Sequence, residues 1–410
     1  MRTLLDLAKL DPADALSPAG ASDGHPSQPW RCARTGIWVV ESHALVSDAL
    51  SRPAEFSSKV SLAALDAGFP AAEVEAIYRA GGYPPARTLQ TNDPPAHRRF
   101  RALVERVFTP SRVEATVPDI DAACADLLEQ WPADVPFEAM AGFAVPLPLR
   151  VISTQLGVPA EDFRLFKRWS DAAIQAIGLG AKRDEQIHAA RCGVEFQHYF
   201  AALLADPARR PEGSLIDRVA QAAAQPDSTL TLPEQLSLLH TLMIAGHETT
   251  TSTLGSLLRM LVEQPSLATA ARDDAKLQKR LIEEALRLQA PVQGVFRVTT
   301  QATQFGGIDL PARSLLCLRL GAANRDAARY PSGGAPELTG PVAAHMSFGA
   351  GIHHCIGAPL ARRELGIALA ALLDRFSRFE FASGALPLQY SVSVMTRALL
   401  SLPLIARGRP

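Results

Sequence analysis

Between Gln235 and Leu258 the single formal charge is Glu248, and only His240, His247 and a cluster of threonines and serines interrupt the apolar residues. A membrane span is one reading of such a stretch. The polar groups inside it favour instead a central helix buried in a protein interior. Thr231-Leu232-Pro233-Glu234 has the form of a capping box and marks its start, and Pro265 lies just beyond Glu263. At 1.5 Å per residue this helix is about 45–50 Å long.

Other segments carry shorter periods. Gly36-Ile37-Trp38-Val39-Val40 is strand-like, and Ser42 to Leu50 reads as a short helix. Residues 57 to 92 mix helix and loop character, with Gly68-Phe69-Pro70 and Gly81-Gly82-Tyr83-Pro84-Pro85 as breakers. Asp93-Pro94-Pro95 stops one element and opens another. Residues 111 to 230 look like several helices, with the two prolines of Val145 to Leu149 interrupting the pattern. An amphipathic run begins at Phe163 and continues through Trp169, Ile174 and Ile177. Leu281 to Leu288 is helical and stops before Pro291. Phe305-Gly306-Gly307-Ile308-Asp309-Leu310-Pro311 reads as strand, turn, strand. No repeat, low-complexity tract or long linker is visible. The pattern predicts a mainly α (α+β) fold with small sheets after an irregular lead-in at 1–30, with no linker long enough to separate two domains.

Composition changes this picture little. The 410 residues are 47% hydrophobic and 6% aromatic, which suits a large core and favours helix over strand. A net charge of -1 argues against nucleic acid as a partner and against general attraction to membranes. Arg2, Asp6 and Lys9 break the leucines of Met1 to Leu10, so no signal peptide or membrane anchor is expected. Five cysteines stand far apart without a CxxC pair, which suggests neither a zinc site nor a disulfide framework. A reducing cytoplasm is the simplest compartment.

Four clusters carry candidate chemistry. Cys355 lies in Phe348-Gly349-Ala350-Gly351-Ile352-His353-His354-Cys355-Ile356-Gly357, directly before a helix-like run from Ala358 with Pro359 in its first turn. A thiol at a helix N-terminus meets unpaired N–H groups and the positive end of the dipole, which favour the metal-binding thiolate. His97 and Arg101 share one helix face and can bind a dianion together, although taken by themselves a solvated basic patch is the better reading. Ala245-Gly246-His247-Glu248-Thr249-Thr250 sits within the long helix. His247-Glu248 opens an HExxH zinc motif, but residue 251 is Thr251 and the motif fails. Glu284 and Arg287 are three apart and can pair.

Taken together and in this order, these residues resemble the cytochrome P450 family, soluble bacterial type, from about Arg31 to Leu404. The resemblance implies a helical bundle around haem b (iron protoporphyrin IX), with Cys355 as the axial thiolate of the iron. Phe348 then packs near the sulfur, Gly351 shapes the loop, and His353, His97, Arg101 and Arg297 hold the haem propionates. Ala245 and Gly246 let the long helix approach the haem. Thr249 hydrogen-bonds oxygen and water there, and Glu248 delivers protons as a general acid. Glu284 and Arg287 become a buried lock, with Arg325 as candidate third partner. Val292, Val295, Phe296, Ala245, Val394 and Met395 take pocket positions, and their apolar character points to an apolar small-molecule substrate. Arg79 and Arg87 are candidate anchors for a substrate carboxylate, or solvated charges.

The implied activity is a monooxygenase that uses O2 and two electrons from a ferredoxin-type donor with its reductase. Arg98, Arg362 and Arg363 are candidates to steer that donor. A peroxygenase or a non-catalytic haem sensor is the alternative, and the Glu248–Thr249 pair speaks against both.

Overall fold

Alanine- and leucine-rich segments fold as helices, and the few β-branched and aromatic runs form short strands. A computed structural model describes residues 27–32, 35–60, 70–176, 181–226, 228–339, 344–391 and 395–409. Most of the lead-in, Ile177 and Val394 lie outside the described residues. The strands are β1 (Trp30–Arg31), β2 (Trp38–Val40), β3 (Phe56–Ser57), β4 (Pro136–Glu138), β5 (Val295–Thr299), β6 (Thr303–Phe305), β7 (Ile308–Leu310), β8 (Leu315–Leu318), β9 (Phe376–Phe381) and β10 (Pro403–Gly408). The helices are α1 (His43–Ser51), α2 (Ala71–Gly81), α3 (Ala96–Glu105), α4 (Pro110–Ala115), α5 (Val117–Glu129), α6 (Pro146–Leu156) and α7 (Phe163–Ala176). They continue with α8 (Arg183–Ala205), α9 (Leu215–Ala223), α10 (Leu232–Glu263), α11 (Pro265–Ala271), α12 (Ala275–Gln289), α13 (Leu320–Ala323) and α14 (Ala358–Arg375).

The chain packs as two compact units of interleaved segments. One takes 1–57, 113–148 and 248–410, and the other takes 58–112 and 149–247. The first unit holds a five-stranded sheet in the order β1-β2-β8-β5-β3, parallel only between β2 and β8. Val40, Leu50, Phe56, Phe305, Leu316 and Leu318 form the core beside it. β4, β10 and β9 make a second sheet. Trp131 stacks on Phe137 of β4 at 4.6 Å between ring centroids and also meets Phe143 and Phe376. The expected strand-turn-strand is the β6–β7 hairpin. Its two turn residues, Gly306 and Gly307, have φ of +58° and +80°, as a two-residue turn matched to strand twist requires.

The second unit packs α7 on α8 through Trp169, Phe196 and Tyr199. α2 is fastened to α8 at both ends. Arg183 forks onto Glu73. At the other end the Gln197 amide accepts from the Tyr83 N–H and donates to the Tyr83 carbonyl, both at 2.8 Å.

Several boundaries follow local chemistry. The Ser42 hydroxyl accepts the Leu45 N–H and caps α1. The Asp274 carboxylate caps α12 by accepting from the N–H groups of Lys276 and Leu277. α12 ends where Ala290 turns left-handed (φ +39°) before Pro291. At the start of α10 the capping box is half formed: Glu234 accepts both the N–H and the hydroxyl of Thr231, at 2.9 and 3.1 Å. One expectation is corrected. Pro146 and Pro148 do not interrupt a helix; they lie in the first turn of α6, where a missing N–H loses no intrahelical bond.

The tightest polar constraint is Glu284 with Arg287 on α12, at side-chain exposures of 6% and 0%. Arg287 Nη2 donates to Glu284 Oε2 at 2.7 Å. Its Nε–H also donates to Glu284, at 3.0 Å to Oε1, its remaining hydrogens go to the carbonyls of Asn324, Gly333 and Ala335 at 2.9–3.0 Å, and Glu284 Oε2 accepts the Glu337 N–H at 2.8 Å. The third partners are thus backbone groups. Arg325, the expected partner, donates instead to the Leu288 carbonyl at 2.9 Å. Removing one charge of a buried pair strands the other. Arg287→Met is therefore expected to destabilise the fold by about 3–5 kcal/mol, read as a large fall in unfolding midpoint or loss of folded protein. An unchanged midpoint would refute the role.

Candidate active site

The cysteine loop is shaped by two short turns, Met346–Phe348 and Gly351–His353, ahead of α14. Gly351 has φ +63°, and a Cβ there would collide with the Leu50 carbonyl of α1, so the loop depends on glycine at this point. The Cys355 N–H donates to the Phe348 carbonyl at 2.8 Å. Gly357 is the N-cap of α14 and Pro359 lies in its first turn, as expected. Cys355 is half-buried, whereas Cys32, Cys124, Cys192 and Cys317 are buried. Burial pushes the Cys124 thiol up to about 12 and the Cys317 thiol up to about 11. Of the five sulfurs, only that of Cys355 therefore combines access with a helix N-terminus, and the loop suits a ligand held by a thiolate.

α10 supplies a second surface. Met243, His247 and Thr250 to Ser252 are buried, but Ala245 is exposed and Thr241, Ile244, Glu248 and Thr249 are half-buried. Residues 241, 245 and 249 are successive i,i+4 positions, so one stripe of an otherwise enclosed helix stays uncovered. That stripe carries Ala245, Glu248 and Thr249. The Ser252 hydroxyl donates to the Glu248 carbonyl at 2.9 Å and that of Thr253 to the Thr249 carbonyl at 2.8 Å. A Cβ on Gly246 would lie 2.6 Å from Ile152 Cγ1, so this glycine also admits a neighbouring side chain.

The basic residues fall in both units. His97 and Arg101 lie on α3, as the HxxxR spacing predicts. His97 is buried, and burial first, with Arg101 second, lowers its pKa. Arg101 Nε pairs with Glu105 at 2.8 Å. In the other unit Arg297 is buried on β5 and donates to the Phe296 carbonyl at 2.8 Å, and His353 is half-buried in the cysteine loop. Arg79 pairs with Glu75 on an exposed face, and Arg87 is exposed.

β5 separates the expected pocket positions. Val295 and Arg297 point to one face and Phe296 to the other, because strand side chains alternate. Val292 and Val295 are half-buried and Phe296 is buried. Met395 adjoins this segment: its carbonyl accepts the Gln293 N–H at 2.7 Å.

Sequence reasoning missed the role of His247, which it weighed only as a zinc ligand. Its Nδ1–H donates to the Met243 carbonyl at 2.8 Å, so Nε2 accepts from the Ser170 hydroxyl of α7 at 2.8 Å. A histidine inside a long uncharged run was the available signal, but its partner lies 77 residues away. Among the described residues no cluster of three His, Cys, Asp or Glu could hold a metal, and no helix is long and apolar enough to cross a membrane.

Comparison with known proteins agrees with this architecture. The profile of the family Cytochrome P450 matches residues 204–392. Cytochrome P450 107B1 of Saccharopolyspora erythraea is 36% identical over 318 residues, 77% of this chain and 76% of the relative. Mycinamicin IV hydroxylase/epoxidase of Micromonospora griseorubida is 33% identical over 77% of this chain and 79% of its own length. Cytochrome P450 CYP109Q5 from Chondromyces apiculatus superposes with a TM-score of 0.83 at 31% identity, covering 99% of this chain and 98% of that structure. The chain belongs to the cytochrome P450 family. It is a haem-thiolate monooxygenase, and as such it uses haem b with a cysteine thiolate ligand, O2 and electrons from a redox partner.

His247 gives a pH prediction. Burial lowers its pKa from 6.5 to about 4. The unfolded chain then takes up a proton below pH 6.5 that the folded chain refuses. Its contribution to stability is complete above pH 6.5 and falls by about 1.4 kcal/mol per pH unit down to pH 4. His247→Gln should flatten that part of the stability–pH curve; an unchanged slope would refute the assignment.

Proposed function

We propose that this monooxygenase holds its haem through Cys355 and oxidises an apolar, medium-sized to large small molecule. The observation that carries the reading is the single accessible cysteine on a glycine-shaped loop at the start of α14. Haem bound there supplies the oxygen chemistry, since a thiolate ligand donates electron density and favours O–O cleavage. His97, Arg101, Arg297 and His353 bind its propionates. Phe348 flanks the sulfur, and Ala245 and Gly246 leave the stripe on α10 open. Glu248 takes protons from solvent and passes them towards the Thr249 hydroxyl, which holds and orients the water that donates them. The acid and the alcohol are neighbours in sequence on the uncovered part of α10, which supports this division of labour.

Val292, Val295 and Met395, half-buried on or beside one face of β5, are the pocket residues of this reading. A relative named mycinamicin IV hydroxylase/epoxidase and a solved relative in complex with testosterone support a bulky apolar substrate. CYP109E1 from Bacillus megaterium, the testosterone complex, is 27% identical with a TM-score of 0.81 over 98% of this chain and 100% of that one. The electron donor is a ferredoxin-type protein with its reductase, and the enzyme works in the cytoplasm. Residues 31–410 act as one domain.

Two measurements test this. In the ferric protein, a panel of macrolides, steroids and terpenoids should include a ligand that shifts the haem to high spin. No response from any apolar class would remove the substrate proposal. Thr249→Ala should lower product formed per electron pair consumed by about tenfold or more, measured as reductant oxidised against product; unchanged coupling would sink the proton-delivery role.

A further inference from the structure

α12 carries two adjacent carboxylates. Glu284 serves the Arg287 lock. Glu283 accepts from Arg362 Nε at 2.6 Å and from Arg362 Nη2 at 2.9 Å, a two-pronged fork onto α14. His345 Nε2 lies 3.1 Å from Oε2 of the same carboxylate. Both partners of Glu283 then lie against one ring. The Arg362 guanidinium carbon is 4.4 Å from the Phe348 centroid, and the His345 ring is 5.8 Å away, tilted by 33°. The carbonyl of Phe348 accepts the Cys355 N–H. Contacts therefore run unbroken from Glu283 through Arg362 and His345 to Phe348 and on to Cys355, all within one unit.

Charge follows the same line. Burial pushes the Glu283 carboxyl up, but hydrogen bonds from Arg362 and His345 outweigh it and hold the pKa at about 2. The Arg362 pKa is raised, first by its hydrogen bond to Glu283 and also by the charge of Cys355. A fixed anion and a fixed cation thus stand in series beside the sulfur. The cation alone would draw electron density from a thiolate and favour the more negative, reduced state of a bound iron. The anion offsets it.

We propose that Glu283 is a positioning residue for the thiolate ligand, holding Arg362 and His345 on Phe348 and balancing the charge of Arg362 beside Cys355. The role rests on the assignment of Cys355 above.

The test is the haem reduction potential of the purified holoprotein, titrated with chemical mediators and without substrate or redox partner. Glu283→Gln leaves Arg362 unbalanced and should raise the potential. Arg362→Gln removes the cation and should lower it. The double variant should return close to the parent value. Each single variant is expected to move the ferric/ferrous equilibrium by about tenfold, ~59 mV for one electron. Shifts of the same sign in both single variants, or none in either, would overturn the proposal. If Glu283→Gln does not take up haem, Arg362→Gln against Arg362→Lys decides: only the first should lower the potential. A ferrous–CO spectrum without the red-shifted band of a thiolate-bound haem in the unaltered protein would overturn the Cys355 assignment, and this proposal with it.

Discussion

The structure depends on one charge buried without water. Arg287 has no exposed side-chain surface, and an isolated guanidinium in that position would be prohibitively unstable. It is tolerated because its hydrogens are distributed between one carboxylate and three backbone carbonyls of residues 324–335. That distribution fixes where the segment after β8 must run. Asn324 extends the constraint: its side-chain carbonyl accepts the Met346 N–H and its amide donates to the Ser347 hydroxyl at 2.8 Å. The residues leading into the cysteine loop are thus tied, through two short steps, to a pair on α12. A weakly packed loop acquires a defined path because unsatisfied charge forbids the alternatives.

α10 solves a different problem. Its apolar length would suit a membrane, but its hydroxyls turn inward and return hydrogen bonds to carbonyls one turn earlier. Those bonds satisfy the hydroxyls of Ser252, Thr253 and Ser256 within the helix and ease its burial. Glu248 and Thr249, the proposed proton-delivery pair, lie on a stripe that this burial leaves partly open.

Much of this was legible in the sequence. The ends of α10, α1 and α12 follow from capping residues and prolines, and the β6–β7 hairpin from its paired glycines. HxxxR, ExxR and the cysteine loop each announce themselves by spacing along a single element. What was not legible required distant partners. Nothing local to the Glu284–Arg287 pair shows that its further partners are backbone groups rather than the Arg325 side chain. The prolines of α6 read as a break because a helix start and a helix interruption share the same residues. Arg362 and Arg363 are exposed, as their charges suggest, but nothing local to them names their partners, Glu283 and Glu114. The alternation of β5, which separates Phe296 from Val295, was available from strand geometry once the strand itself was known.

The attachment of α2 to α8 has an evolutionary consequence. Its inner end is held by the main chain of Tyr83, gripped by the Gln197 amide, and the imidazole of His198 meets the Gly81 carbonyl at 2.5 Å. Main-chain atoms are the same whatever side chain they bear. The stretch can therefore exchange its side chains from one lineage to the next while keeping its place, provided Gln197 persists. Such an arrangement lets the surface of the segment be rewritten without re-anchoring the backbone that bears it.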